Sequence, residues 1–200
     1  MWDTSRGVSC ISCGGEAVIM LYTDGGWAWS SGIPHDLHKK LWGRQRSLPS
    51  PEYVAIGSLD RYYIRFEDGE SEWVGCDTMT ERLQDESSGD VGTVAFGNDL
   101  DSYFIVFEDG GYSYQEVPDA LQELVQTGRQ DSTDGECRSP GPLECVSLGP
   151  NDEWFLQTKT GKAWWDGMSE DAVDCMAEHC NQISFMDFAD DDAYLFLYKE

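Results

Sequence analysis

Two histidines in the stretch PHDLH, His35 and His38, have a spacing suited to metal binding. They are three positions apart on a predicted helix, so both imidazoles can lie on one side, with Asp36 nearby. Imidazole and carboxylate groups are ligands for zinc and nickel. Histidine pairs on surface helices are more often simply solvated. The pair is therefore either a weak metal site or a solvated helix face.

The cysteines form two further candidate metal patches. Cys10 and Cys13 make a C-x-x-C motif, and Cys175, His179 and Cys180 make a thiol-rich patch near the other end. A fold that joins the first and last segments would unite them in one zinc site. However, Cys10 and Cys13 lie on a predicted strand, where alternation sends them to opposite faces. We therefore predict no metal and no other cofactor.

Catalytic motifs do not stand out. The sequence has no P-loop, dinucleotide fingerprint, G-x-S-x-G or kinase signature, and only three histidines. The acidic run of Asp190, Asp191 and Asp192 lacks the spaced ligands and glycine of a calcium loop. A hydrolase that uses only carboxylates stays open as an alternative, but no pair is singled out among 38 acidic residues. We predict no catalytic residue and a protein that is not an enzyme.

The elements that position these residues form a repeat. A turn glycine recurs at Gly25, Gly69, Gly110 and Gly161. It lies within four similar phrases: AVIMLYTDGGWAWSSG, RYYIRFEDGESEWVG, SYFIVFEDGGYSYQEV and EWFLQTKTGKAWWDG. Three of these glycines follow an aspartate, and Asp-Gly is the strongest short-range signal for a β-hairpin. Each phrase therefore predicts two strands joined by a tight turn.

Further strands and helices complete each unit. The phrases VSCISCG, EYVAIGS, GTVAFGN and ECVSLGP predict a strand before each hairpin. Short helices are predicted at residues 34–41, 118–125 and 169–179, with a weaker signal in CDTMTERLQ. Residues 127–142 are predicted as a loop insert. A repeat of about 40 to 50 residues indicates a solenoid, propeller or array.

The two ends of the chain suggest a closed ring. Residues 183–200 match the first two strands of a unit, and residues 1–5, MWDTS, resemble the third strand WAWSS. We predict that this N-terminal strand completes the last unit, which closes a ring of five units and removes free strand edges. The alternative is a fragment of a longer array. The predicted single domain, residues 1–200, divides into units of approximately 8–50, 51–90, 91–140, 141–181, and 182–200 together with 1–7.

The pattern VAxG followed by YFxxFxDGxxxWxG resembles propeller repeats of the regulator-of-chromosome-condensation type. The count of five units, one of them shared between the two ends of the chain, is similar to propellers of the tachylectin type. The resemblance covers almost the whole chain as architecture, and the helix after each third strand belongs to neither pattern. The repeat and the resemblance together predict a mainly β, five-unit propeller-like ring of three-stranded antiparallel units, and the sequence adds short helices between the units. The resemblance implies the propeller-like architecture alone. It assigns no functional residue.

Charge limits the partners. With 38 acidic against 13 basic residues, the formal net charge is −25. Such a chain repels nucleic acids and anionic membranes, whereas a basic protein is electrostatically favoured. No segment has the length and apolarity of a membrane span or a secretory signal. Seven cysteines in an irregular pattern indicate a reducing compartment, so we predict a cytoplasmic or nuclear protein.

Aromatic residues recur after each hairpin turn, and four of them are candidate binding residues: Trp29, Trp73, Tyr114 and Trp165. They are expected either to pack between units or to present a carbohydrate-binding surface. The leading prediction is a non-catalytic scaffold that binds a protein, of basic character, through one face of the ring. Lectin-like carbohydrate binding is the first alternative, and a carboxylate-dependent hydrolase is the second.

Overall fold

The computed structural model of the protein describes residues 6–45, 47–85, 87, 89–127, 129–130, 137–138, 140–179, 182–189 and 193–198. The predicted strand at residues 1–5, Cys180 and the acidic run at 190–192 lie outside these residues. The described chain is mainly β, with short helices between its sheets. The predicted fold class is confirmed at this level.

Antiparallel sheets follow one another along the chain. Unit 1 has strands β1 (Val8–Gly14), β2 (Ala17–Tyr22) and β3 (Trp27–Trp29); unit 2 has β4 (Pro51–Ile56), β5 (Tyr62–Phe66) and β6 (Ser71–Val74); unit 3 has β7 (Val91–Phe96), β8 (Tyr103–Phe107) and β9 (Tyr112–Gln115). The short strands β10 (Arg129–Gln130) and β11 (Cys137–Arg138) pair within the predicted insert. Unit 4 has β12 (Leu143–Leu148), β13 (Trp154–Thr158) and β14 (Ala163–Asp166), and unit 5 has β15 (Ile183–Phe188) and β16 (Tyr194–Tyr198).

The hairpin turns form where the glycines predict them. Gly25, Gly69, Gly110 and Gly161 all have φ between 78° and 88°, in the left-handed region that glycine adopts without strain. In unit 2 the turn is closed by bonds from the Gly69 amide to the Phe66 carbonyl and from the Phe66 amide to the Glu70 carbonyl, both 2.9 Å. Local turn chemistry therefore sets the strand pairing in each unit.

Helices connect one unit to the next. They are α1 (His35–Leu41), α2 (Asp77–Gln84), α3 (Asp119–Thr127) and α4 (Glu170–His179). Helix α2 has the weakest sequence signal because Met79 is its one fully buried side chain, whereas α3 buries Leu121, Leu124 and Val125. All four helices follow a third strand in chain order, after a short connection.

All five units share one strand register. The pairing of the first and second strands shifts by one residue at the same place in every unit. Residues can therefore be matched between units by position. The fifth residue of each first strand is Ser12, Ala55, Ala95, Ser147 or Asp187.

The hydrophobic core is divided among the junctions between units. One cluster joins Ile19 and Leu37 of unit 1 to Ile64 of unit 2. Comparable clusters join units 2 and 3, units 3 and 4, and units 4 and 5. Each unit is too thin to bury its own apolar surface, so neighbouring units stabilise one another.

The first strands also contact one another in order. Strand β1 contacts β4, β4 contacts β7, β7 contacts β12, β12 contacts β15, and β15 contacts β1. The last described sheet thus lies against the first.

Arg61 fastens unit 2 to unit 3. Its side chain is 1% exposed. The guanidinium donates to the Ser58 hydroxyl and to the carbonyls of Ser58, Gly97, Asp99, Leu100 and Ser102. Burial lowers the pKa of the guanidinium, and the carbonyl oxygens compensate for the water it has lost.

Replacing Arg61 should therefore destabilise the protein. We expect Arg61→Met to lower the free energy of unfolding in urea by about 2–4 kcal/mol, because five carbonyls of two units lose a shared charged donor. The control Arg82→Met removes a half-exposed arginine that pairs with Asp85, and should cost under about 1 kcal/mol. Equal losses in the two variants would show that Arg61 is not a fastening residue.

Candidate functional site

The turns between the first and second strands meet at one end of the molecule. We call residues 14–16, 58–60, 98–101 and 150–152 the loop face. Glycines at the ends of the first strands, with Phe188 of unit 5, line one depression of about 150 Å³, here called the central depression. These glycines are Gly14, Gly57, Gly97 and Gly149. A Cβ on Gly57 would lie 2.5 Å from that of Phe96, so the strand ends approach as closely as their backbones allow.

The loop face is acidic. Its turns contain no lysine or arginine. Its exposed charged residues are Glu16, Asp60, Asp99, Asp101 and Asp152. Helices add acidic residues at the same end, because each begins where a third strand finishes; they are Asp36, Asp77, Asp119, Glu170 and Asp171. The hairpin turns at the opposite end carry both signs of charge, including Lys159 and Lys162.

Two leucines project from the loop face into solvent. Leu59 is 64% exposed and Leu100 is 53% exposed. Leu59 and Asp60 have φ of 60° and 58°, which glycine and asparagine favour in a two-residue hairpin turn. Arg61 holds both loops, since it donates to the Ser58 and Leu100 carbonyls. Fixed apolar side chains beside carboxylates are suited to contact with another molecule.

Beneath the central depression, the first strands surround a void of about 10 Å³. We call it the central void; its lining includes Ser12, Ala55, Ala95, Ser147 and Asp187. These are the matched fifth residues of the first strands. Four of the five are serine or alanine, because five strands meet here and leave little room. Asp187 alone carries an ionisable side chain at this position.

Side chains of the first strands bond to the next strand's backbone. The Ser12 hydroxyl accepts the Ile56 amide at 2.9 Å. The Tyr53 hydroxyl accepts the Val94 amide at 2.9 Å and donates to the Val94 carbonyl at 3.1 Å. These bonds link unit 1 to unit 2 and unit 2 to unit 3.

Asp187 makes the corresponding bond between unit 5 and unit 1. Its Oδ2 accepts the Cys13 amide at 2.8 Å, and its Oδ1 accepts the Phe188 amide at 3.0 Å. The bond to Cys13 corresponds to the one between Ser12 and Ile56, because in both the fifth residue of a first strand accepts the amide of the sixth residue of the neighbouring first strand. A buried carboxyl thus connects the last described sheet to the first.

The surroundings of Asp187 favour its neutral form. Burial raises its pKa from 3.8 to about 7, although the bonds from Cys13 and Phe188 act in the opposite direction. The ionisable groups nearest to it are also buried. Burial raises the pKa of the Cys10 thiol to about 12, and it raises those of Cys13 and Tyr53 as well. These groups stay neutral across the pH range in which Asp187 titrates.

The four candidate binding aromatics occupy matched positions. Trp29, Trp73, Tyr114 and Trp165 each pair with the middle-strand residue that faces the fifth residue of the first strand. All four are half-buried against the clusters at the unit junctions.

The helices hold several of these aromatic rings. Trp73 Nε1 donates to Thr80 of α2, and the Tyr114 hydroxyl accepts a bond from Gln126 of α3. Trp29 packs edge-on against His38 of α1. Trp29 also borders an open cleft of about 480 Å³ with His35, His38 and Asp60. Packing between units is thus one function of these side chains.

The metal candidates are spread over several elements. Cys10 and Cys13 are buried, and Cys10 donates to the Val54 carbonyl at 3.4 Å. His38 stacks on Trp42 instead of facing a ligand set. Cys175 and His179 lie on α4, and their proposed partner Cys180 lies outside the described residues. Within the described ranges, no three His, Cys, Asp or Glu side chains are grouped so as to hold a metal ion.

Several residues that shape this end of the molecule carry little or no signal in the sequence. Asp187 could have been found by aligning the first strands, because it stands where the other units have serine or alanine. Arg61, Leu59 and Leu100 lie in turns of unequal length, so no repeat comparison singles them out. Their importance depends on contacts between units.

Comparisons with known proteins give distant structural likenesses. No family model and no curated protein matches the chain. Human WBSCR16 has 12% identity and a TM-score of 0.47 over 100% of this chain and 60% of its own. The C-terminal domain of gp131 from bacteriophage phiKZ has 14% identity and a TM-score of 0.42 over 86% of this chain and 55% of its own. YCF48 bound to D1 peptide has 13% identity and a TM-score of 0.30 over 83% of this chain and 52% of its own. The chain spans between about half and two thirds of the length of these structures.

In the described part of the chain, none of the helices is long and apolar enough to cross a bilayer.

The neutral carboxyl of Asp187 predicts a pH-dependent stability. Between about pH 4 and pH 7 the folded protein keeps a proton that the unfolded chain has lost. The contribution of Asp187 to the free energy of unfolding is at its full value below about pH 4. It decreases by about 1.4 kcal/mol per pH unit until the pH passes about 7. We expect the free energy of unfolding of Asp187→Asn, measured in urea from pH 5 to 7, to fall less steeply with pH than that of the wild type. The difference in slope should be about 1 kcal/mol per pH unit.

The exposed control Asp101→Asn should keep the wild-type slope, which separates this effect from the protein's overall charge. Identical slopes for the wild type and Asp187→Asn would show that Asp187 is ionised in the folded protein.

Proposed function

We propose that this protein is a non-catalytic binding module whose loop face binds a basic protein. The observation that carries the proposal is the composition of that face, where exposed carboxylates surround Leu59 and Leu100 without any lysine or arginine in the turns. Carboxylates attract a basic partner over a distance of about one Debye length, roughly 10 Å at about 0.1 M salt. The exposed leucines would add apolar contact once the partner has docked.

This proposal fits the described chemistry better than the two alternatives. A hydrolase needs two carboxyl groups that face a shared cleft, and Asp187 is buried beside serine and alanine at the central void. A lectin-like site would have to use Trp29 beside its cleft, where the Asp60 carboxylate already accepts the His35 amide at 3.3 Å. Carbohydrate binding there is a second candidate, with Trp73, Tyr114 and Trp165 as the matched residues in the other units.

We also propose that the units form a closed ring, as the repeat predicts. The contact of β15 with β1 and the bond from Cys13 to Asp187 support it. Residues 1–5 are proposed as the third strand of unit 5. A closed ring would hold the turns of the loop face in a fixed arrangement, which suits a rigid binding surface.

Binding can be tested with a labelled basic peptide, KGKLKGK, followed by fluorescence anisotropy. We expect binding that weakens as salt is added, and no binding of the acidic peptide EGELEGE. The double variant Asp99→Lys with Asp101→Lys should weaken binding at least tenfold, because like charges then face the peptide. The matched control, Glu70→Lys with Glu108→Lys, changes the same charge at the hairpin end and should weaken binding less than threefold.

Equal weakening by the two double variants would mean that the protein attracts the peptide through its net charge alone. The loop face would then have no special role. Urea unfolding of each variant checks that the comparison is made between folded proteins.

A further inference from the structure

We infer that the central depression accepts one large apolar side chain from the basic segment bound at the loop face. The inference rests on the proposed function and names the chemistry of the partner. It predicts a segment in which a leucine, or a residue of similar size and apolarity, is flanked by lysine or arginine.

The size of the depression limits what it can hold. Its volume of about 150 Å³ is below the roughly 300–1,000 Å³ of typical small-molecule sites. A single side chain is the occupant that matches this space. A cofactor or a saccharide would extend well beyond it.

The lining determines the chemistry of that side chain. Phe96, Leu148 and Phe188 come from three different units and present apolar side chains to the depression. The carboxyl of Asp187 lies at the central void instead, where amides of Cys13 and Phe188 bond to it. An aliphatic side chain inserted here would exchange water for contact with these three apolar side chains, whereas a charged group would lose water beside them.

The rim determines what flanks the inserted side chain. Glycines line the depression at the strand ends, so a partner backbone can approach without obstruction from side chains. The turns that follow these glycines carry exposed carboxylates, among them Asp99 and Asp152. The partner segment that complements this lining and these carboxylates has one apolar residue at its centre and basic residues on either side.

Two peptides distinguish apolar binding in the central depression from electrostatic attraction to the acidic surface. KGKLKGK and KGKGKGK carry the same charge and differ in one leucine. We expect the leucine peptide to bind at least tenfold more tightly to the wild type, from burial of one aliphatic side chain. The two peptides should respond alike to added salt, because their charges are the same.

A filled depression should abolish that difference. Asn98 is exposed and borders the depression, so we expect Asn98→Trp to occlude it and to bring the two peptides within threefold of each other. The matched control Ser31→Trp adds the same indole at the same end of the molecule but beside the other cleft. It should retain the tenfold preference for the leucine peptide.

The outcomes distinguish the two proposals. If neither peptide binds, the proposed function is wrong. If both peptides bind the wild type equally, the loop face binds basic segments but the apolar anchor is wrong. If the leucine preference survives in Asn98→Trp and disappears in Ser31→Trp, the apolar contact lies in the cleft beside Trp29, and the inference is overturned.

Discussion

The close approach of five first strands around one small void is the constraint on which this structure depends. Each strand places its fifth residue at the void, and four of these residues are serine or alanine. Larger side chains would separate the strands, because a void of about 10 Å³ has no room for additional carbon atoms. The same approach brings the strand ends together and produces the central depression above the void.

Asp187 is the exception to the rule of small residues, and its position explains why it is tolerated. At the contact between the last described sheet and the first, its carboxyl oxygens accept the backbone amides of Cys13 and Phe188. Serine does this with one oxygen between units 1 and 2. The carboxyl reaches further and bonds twice, and the loss of water is compensated by holding the proton. Asp187 thus links two sheets through a carboxyl group that gives up its negative charge.

The distribution of charge follows from the same architecture. Several arginines stack on aromatic rings at the hairpin ends of middle strands, as Arg6 does on Tyr22 and Arg44 on Phe66. Arg61 is buried between two units. Cations are thus used in holding the units together, whereas many carboxylates are exposed on turns and helix starts. An acidic surface remains, and on the loop face it carries the exposed side chains of Leu59 and Leu100.

Local signals in the sequence predicted much of the fold. Asp-Gly turns and alternating aromatic residues located the hairpins, because both effects act over a few residues. The central depression, the clamp by Arg61 and the bond to Asp187 could not be predicted in the same way, since they join residues of different units. Of the candidate site residues, Trp29 lies beside a cleft, whereas the thiols of Cys10 and Cys13 are buried within the sheets. Leu59 and Leu100 gave no signal, because an exposed leucine is recognised only when its surroundings are known.

The most direct test of this account is the free energy of unfolding of Ala95→Leu, measured in urea beside Ala28→Leu. Ala95 lines the central void, whereas Ala28 is a half-buried residue of the outer strand β3. The account predicts that Ala95→Leu lowers the free energy of unfolding by about 1–3 kcal/mol, or prevents folding, because the strands must separate. It predicts a loss of less than about 1 kcal/mol for Ala28→Leu. An Ala95→Leu protein as stable as the wild type would contradict it, because the first strands would then not be limited by the space between them.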